Sequence, residues 1–376
     1  MEIKVNSSEL AKRLEQVAKV VVNKNVMQIL ADVMIEIRSG IMVLTASDSE
    51  IWLSLKCPIV SSEQDVKFCV NAKDLLELTK NLGDKDVTIS IEESESKIVC
   101  DYGNGNFEMP YDSANEFPVS SMMNENKASV IVGCNNVLKA IKLTDFAVGN
   151  NALFPILGGL HFDFSSGNMT VSATNQHKIA VFSDKSAMCD IKGSNTTSFT
   201  IPQKSALILV SILGLSEGDV KISFDNNSIS VNNTNFKLTS RLLEGKFPNC
   251  KAVISQERPI VVTIDKSSIL QALKRVIPMS NAISELVQFF FESGQVTLVA
   301  DNKEYGKSAS ETIKCDCDAN LKIGFKGGDL VEIIKNIDDD NVVIELYDSA
   351  RGGVFYALST YSRDEYVSVL SSSLIM

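Results

Sequence analysis

The sequence predicts an α+β fold built from three copies of one module, each combining antiparallel strands with two helices. Three observations carry this. A glycine-centred alternation of apolar and other residues occurs three times. Two helix-like stretches accompany each occurrence. No long linker separates one copy from the next.

The hairpins come first. Gly40 in IEIRSGIMVLTASD, Gly167 in FDFSSGNMTVSATN and Gly294 in FFFESGQVTLVADN stand at equal intervals of 127 residues. Seven, five and three residues before them come Val33, Ile35 and Ile37; Leu160, Phe162 and Phe164; Val287, Phe289 and Phe291. Two, four and six residues after them come Met42, Leu44 and Ala46; Met169, Val171 and Ala173; Val296, Leu298 and Ala300. Strict alternation around a turn glycine marks a half-buried β-hairpin.

The helices follow. SSELAKRLEQVAKVV, CNNVLKAIKLTDFAV and DKSSILQALKRVI each open on Ser, Asn or Asp near the start, residues that cap free backbone N–H groups. Apolar residues then recur at helical spacing: Leu10, Leu14, Val17 and Val21; Val137 and Ile141; Ile269, Leu273 and Val276. A second set is NAKDLLELTKNLG, PQKSALILVSILG and KGGDLVEIIKNID. Gly83 and Gly214 close two of these as C-terminal caps would. Polar stretches near 120–128 and 250–258 place the domains at 1–124, 125–254 and 255–376.

Bulk properties narrow the function classes. With 376 residues and 44% hydrophobic residues, the chain has material for real cores and is not a disordered one. The formal net charge of −11 argues against a uniformly basic surface. The start MEIKVNSSEL lacks a basic-then-apolar leader pattern, and no apolar run reaches membrane length. A cytoplasmic protein without a membrane partner is expected. The eight cysteines include no C-x-x-C, and reduced thiols are expected, with Cys315 and Cys317 on one strand face.

Charge is unevenly distributed. The six helical stretches hold thirteen basic and nine acidic residues, a surplus of four, which leaves −15 on the rest. Solvated helix faces often carry lysine. A sharper reading is that the helices share one surface that meets a polyanion, while the acidic remainder repels it elsewhere. Lys12, Lys73, Lys80, Lys139, Lys142, Lys274 and Lys335 are the candidates for that surface.

Catalytic signatures are missing. No P-loop, G-x-S-x-G or H-E-x-x-H occurs, and two histidines with scattered cysteines do not form a zinc site. No catalytic residue, metal or cofactor is expected. His177 lies ten residues after Gly167, where the other copies have Glu50 and Glu304, so the module does not require histidine there. His161 aligns with Met34 and Gln288, opposite the apolar stripe, and is expected to be exposed.

LTASDSEIWL, PILGGLHFDF followed by VSATNQHKIAV, and above all SRLLEGKFPN (Ser240 to Asn249) resemble the bacterial DNA polymerase III beta subunit family, the sliding clamps. The resemblance covers essentially the whole chain. It implies three clamp domains in a half-ring, with sheets outside and helices lining the hole. Two chains close head to tail as a toroid around double-stranded DNA, without sequence specificity. The ring confers processivity and has no catalysis of its own. The implied partners are a second copy, the DNA polymerase III catalytic subunit, an ATP-dependent clamp loader and other proteins bearing a clamp-binding motif.

The resemblance also implies sites. Lys24, Asn150 and Asn151 fall where the family places DNA contacts. A partner-peptide pocket would be walled by Leu157, Thr174, Gln176, His177, Lys178 and Ile179, together with Pro248, Val253, Val367, Val369 and Leu370. The family's usual Thr-Asp-x-His-Arg is here Thr174-Asn175-Gln176-His177-Lys178, and lysine lacks arginine's planar fork. Ala252 stands where a basic residue is common, and the tail reads YVSVLSSSLIM. The alternative from another class is an acidic repeat scaffold that binds proteins without encircling DNA.

Overall fold

The computed structural model describes all residues except 23–26, 121–127, 186–188, 190, 193–196, 361 and 372–376. The expected boundary at 124/125 and Lys24 therefore lie outside the described residues. The first repeat contains strands β1 (Glu2–Asn6), β2 (Asp32–Arg38), β3 (Ile41–Ser47), β4 (Ile51–Cys57), β5 (Ser61–Ser62), β6 (Val66–Asn71), β7 (Asp86–Glu92), β8 (Lys97–Asp101), β9 (Asn106–Pro110) and β10 (Asp112–Ser113), with helices α1 (Ser7–Val17) and α2 (Ala72–Asn81). The second contains β11 (Ala128–Gly133), β12 (Gly159–Asp163), β13 (Met169–Thr174), β14 (Lys178–Asp184), β15 (Ser198–Pro202), β16 (Asp219–Phe224), β17 (Ser228–Asn232) and β18 (Phe236–Arg241), with α3 (Cys134–Thr144), α4 (Gln203–Leu213) and the short α5 (Cys250–Ile254). The third contains β19 (Ile260–Asp265), β20 (Leu286–Glu292), β21 (Gln295–Asn302), β22 (Lys307–Lys314), β23 (Leu321–Lys326), β24 (Asn341–Leu346), β25 (Gly353–Ala357) and β26 (Tyr366–Leu370), with α6 (Lys266–Val276) and α7 (Gly327–Asn336).

The three glycines act alike. Gly40, Gly167 and Gly294 adopt φ of +75°, +76° and +75°, and a Cβ added to any of them would meet nothing within 4 Å. The requirement is therefore conformational, since only glycine takes this backbone without strain. The register agrees with the sequence: Ile37 faces Met42, Phe162 faces Val171, and Phe291 faces Val296. Every stripe residue named above is buried. Alternation held because one face of each hairpin is the core.

The repeats are not separate sheets. One compact unit comprises Met1–Leu138 and Cys189–Leu242; the other comprises Lys139–Met188 and Leu243–Met376. In the first unit a sheet ordered β5-β1-β7-β8-β9 accompanies a nine-stranded sheet ordered β10-β6-β2-β3-β4-β18-β17-β16-β11. The second unit has the run β12-β13-β14-β26-β25-β24-β19 and the sheet β22-β21-β20-β23. Each repeat thus has a hairpin half, ending in β4, β14 or β22, and a second half, ending in β9, β18 or β26. Repeats join where these ends pair antiparallel: Leu53 of β4 with Leu238 of β18, and Val181 of β14 with Val367 of β26.

Several local expectations need correction. The cap of α1 is Asn6, which accepts from the amides of Ser8 and Glu9. Ser7 instead gives its hydroxyl to the carbonyls of Gly83 and Lys85. Gly214 is the C-cap of α4 as expected, but it is right-handed at φ −62°, unlike Gly83 at +70°, and Ser216 Oγ donates to the carbonyl of Ile212 beside it. Cys315 and Cys317 lie beyond the end of β22, either side of Asp316, whose backbone pairs with Thr263. His161 is half-buried and stacks on Phe247 at 4.7 Å between ring centroids, and this burial lowers its pKa.

One carboxyl in the first repeat gives a pH prediction. Asp32 opens β2 and is buried beside Asp112. Burial, then the neighbouring Asp112 carboxylate, pushes its pKa up to about 7. A carboxyl raised on folding stabilises fully below its unfolded value near ~4, and that contribution is lost as pH rises toward its folded value. Asp32→Asn is expected to stabilise the protein by about 2–3 kcal/mol at pH 8 and by almost nothing at pH 4. Urea midpoints at the two pH values check this.

Candidate partner-binding site

The turn around His177 is built from side-chain-to-backbone bonds. Asn175 Oδ1 accepts from the amides of His177 at 3.0 Å and Lys178 at 2.8 Å. Thr174 Oγ1 donates to the carbonyl of Lys178 at 2.9 Å and accepts from the amide of Gln176 at 3.2 Å. Gln176 sits at φ +78°. The first repeat has the same device: Asp48 Oδ1 accepts from Glu50 and Ile51, Ser47 Oγ from Ser49, and Ser49 sits at φ +77°. The third repeat has a short 3-10 turn over Lys303–Tyr305 in its place, so the first two repeats share this turn and differ at its tip residue. His177 is that tip, exposed, with its carbonyl held by the amide of Ser371 at 2.8 Å.

Beside the turn lies an apolar cluster. Leu157, Val181, Phe247, Cys250, Val354, Val367 and Val369 form its buried part, with Ile156, Ile179, Ile254 and Tyr356 packed against it. Ile179 faces Val369, and Val181 faces Val367, so these residues line one sheet face. Gly149 sits beneath the turn: an added Cβ would come within 3.2 Å of Asn175 Cα and 3.3 Å of Leu157 Cβ. Pro248 is exposed, and so is Val253, whose carbonyl accepts from Arg258 Nη2 at 3.1 Å.

Lys178 and Leu370 are register partners on the opposite face of that sheet. Both are buried. The Lys178 ammonium donates to Asp329 Oδ1 at 2.9 Å and to Glu332 Oε2, both on α7, and lies over the Phe146 ring at 5.8 Å. Burial alone would lower its pKa, but the bonds to Glu332 and Asp329 outweigh it, and the net shift is upward. Its side chain is therefore a strut to α7, directed away from the Ile179–Val369 face. The wall implied by resemblance thus divides: Leu157, Ile179, Val367 and Val369 come together in the cluster, while Lys178 and Leu370 face the other way.

The basic candidates are all on the surface. Lys12, Lys73, Lys80, Lys139, Lys142, Lys274 and Lys335 are exposed, as are Asn150 and Asn151. Acidic neighbours neutralise some of them: Lys12 pairs with Glu9 at 2.8 Å and Lys80 with Glu15 at 2.9 Å. Lys139 lies over the Phe182 ring at 5.4 Å. Lys73, Lys142, Lys274 and Lys335 pair with no acidic side chain among the described residues. No helix among these residues is long and apolar enough to cross a membrane, and no cluster of metal-ligating side chains occurs among them.

Comparison with known proteins follows the same three-part division. Models of the DNA polymerase III beta subunit match in order: the N-terminal domain over residues 1–121, the central domain over 131–249 and the C-terminal domain over 251–364. The chain belongs to the DNA polymerase III beta subunit family. It is accordingly a DNA sliding clamp, a processivity factor and not an enzyme. The beta sliding clamp of Haemophilus influenzae is 23% identical over 354 residues, spanning 93% of this chain and 94% of that one. The Staphylococcus aureus beta sliding clamp is 24% identical over 361 residues, spanning 92% and 93%. The crystal structure of the DNA polymerase III subunit beta from Pseudomonas aeruginosa superposes with a TM-score of 0.91 at 23% identity, and that from Thermotoga maritima with 0.89 at 19%, each over the full length of both chains. These likenesses establish the clamp fold.

Val181, Phe247, Ile254, Tyr356 and Gly149 belong to the site but not to the wall that the family resemblance implies. Val181 carried a usable signal, since it alternates with Ile179. The others reach the cluster from distant segments, and no local spacing announces them.

Proposed function

We propose that two copies of this chain close head to tail into a ring around duplex DNA, and that partner proteins insert a short apolar peptide into the cluster beside His177. The domains in this reading are 1–124, 125–254 and 255–376, and the chain works in the cytoplasm. The observation that carries it is the pattern of joints. Two ends of hairpin halves, β4 and β14, pair with two ends of second halves, β18 and β26. The remaining pair, β22 and β9, are sheet edges with no strand on their outer side among the described residues. Pairing β22 of one copy with β9 of the next repeats the internal joint and uses up both edges. Such a contact is heterologous, and two copies with six joints close it.

A closed ring suits weak contacts. Phosphate contacts lose affinity steeply with salt, whereas a ring is retained by topology. The helix lysines need supply only a mild, sequence-blind attraction, which leaves the ring free to slide. A DNA polymerase III catalytic subunit tethered to it rebinds as an intramolecular event. Loading requires the ring to be opened, which is the task of an ATP-dependent clamp loader.

The test loads the protein on nicked circular DNA with its clamp loader, washes in high salt, then linearises the DNA. Retention on the circle followed by release is expected; retention after linearisation would sink the ring. For the pocket, His177→Ala is expected to weaken an apolar clamp-binding peptide by about three- to tenfold, without moving the urea midpoint. Unchanged affinity would remove His177 from the site.

A further inference from the structure

We infer that a cavity beside the apolar cluster is an anion subsite that takes the acidic flank of an apolar-anchored partner peptide. This rests on the reading of the cluster as the peptide pocket. The cavity has a volume of about 410 Å³. Its floor is Val181, Ile254 and Val367, all members of the cluster or packed against it, so the two are continuous. Its rim differs from the cluster in chemistry. Lys185, Lys251 and Arg363 bring three positive charges, against one carboxylate, Asp364. Hydroxyls of Thr170 and Ser183, 3.2 Å apart, stand at one end.

The cations are unequally committed. Arg363 is anchored: Nη2 donates to the carbonyl of Ile254 at 2.7 Å, and the guanidinium pairs with Glu345 at 3.2 Å. Its Nε is buried with no hydrogen-bond partner among the described residues. Among the described residues Lys185 makes only an exposed pair with Asp364 at 3.3 Å, of the kind that contributes little and exchanges readily. Lys251 is exposed on α5. Two exposed ammonium groups and one anchored guanidinium favour a carboxylate arriving over an apolar floor, because charge-assisted bonds strengthen as water leaves.

The sheet faces separate this site from Lys139, one of the helix lysines proposed to attract DNA. Thr170, Val181, Ser183 and Val367 share the face opposite Phe182, the ring over which Lys139 lies. Rows along a strand on one face lie about 7 Å apart. Acidic residues a few positions from an apolar anchor seated at Ile179 and Val369 therefore reach the cavity.

The test uses fluorescent synthetic peptides with a Leu-Phe anchor, flanked at either the amino or the carboxyl side by Asp-Asp, and their Asn-Asn twins. Anisotropy is read at low ionic strength with the full chain. At one of the two ends, Asp-Asp is expected to bind about five- to tenfold tighter than Asn-Asn. The double variant Lys185→Gln, Lys251→Gln is expected to erase that gain and leave the Asn-Asn affinity unchanged. A gain that survives in the double variant, or no gain at either end, would overturn the subsite. Failure of even the Asn-Asn peptides to bind would instead mean that the apolar pocket reading is wrong, and the subsite falls with it.

Discussion

Glu108→Pro is expected to convert the ring to monomers and abolish salt-resistant retention on circular DNA. The effect originates at the edge of β9. Tyr111 donates to the carbonyl of Ser96, and Tyr102 to that of Gly105, which fixes the phase of the β8–β9 ladder. Phe107 and Met109 then bond β8, while the amides of Asn106 and Glu108 point away from the sheet. Proline at 108 removes one outward donor and puts a ring where the next strand would lie, yet leaves the bonds to β8 intact. Pro110 already occupies the same outward row. The lost bonds and the steric conflict together cost about 3 kcal/mol, roughly a hundredfold in self-association. Solution mass is expected to fall to the 41.0 kDa of one chain at concentrations where the parent is a dimer. A dimer that persists with unchanged affinity would exclude β9 from the joint. Ser310→Pro on β22 is the reciprocal variant, since Ser310 belongs to the opposite edge of the same proposed joint.

How much of this was legible beforehand depends on the range of the interaction. The hairpin stripes were legible because alternation is local, and every stripe residue is buried. The helix positions were legible for the same reason: Leu10, Leu14, Ile269 and Leu273 lie on buried faces at regular spacing. The joints were not, because β4 and β18 meet across about 185 residues of sequence and pairing at that distance leaves no periodic trace. His161 shows the same limit. Its side lies opposite the stripe, as expected, but Phe247 arrives from a distant segment and covers it. Lys178 is the instructive case. Resemblance placed Ile179 and Lys178 on one wall, yet neighbours on a strand face opposite sides. With Ile179 beside Val369, the lysine had to turn toward α7.

That geometry yields the second large effect. Lys178→Met is expected to destabilise its unit by about 2–4 kcal/mol and to change peptide affinity less than threefold. Methionine keeps the apolar stem but deletes the charge, and the two acids fare differently. Glu332 is half-exposed and can return to water, whereas the Asp329 side chain is only 13% exposed and stays shielded without its partner. Stranding a shielded carboxylate is the costly part, so Lys178→Met with Asp329→Leu should recover much of the loss. The sign of the pH dependence also follows. The lysine's pKa is raised, so its contribution is complete at neutral pH and disappears only as alkali carries the solution through that raised value. Urea midpoints at pH 7 should separate parent from variant clearly, and the gap should narrow in strong alkali. A variant of unchanged stability that loses peptide binding tenfold would put the ammonium in the pocket after all. The expected result puts it behind the pocket: a strut between β14 and α7 that holds one face of the sheet while the other receives the peptide.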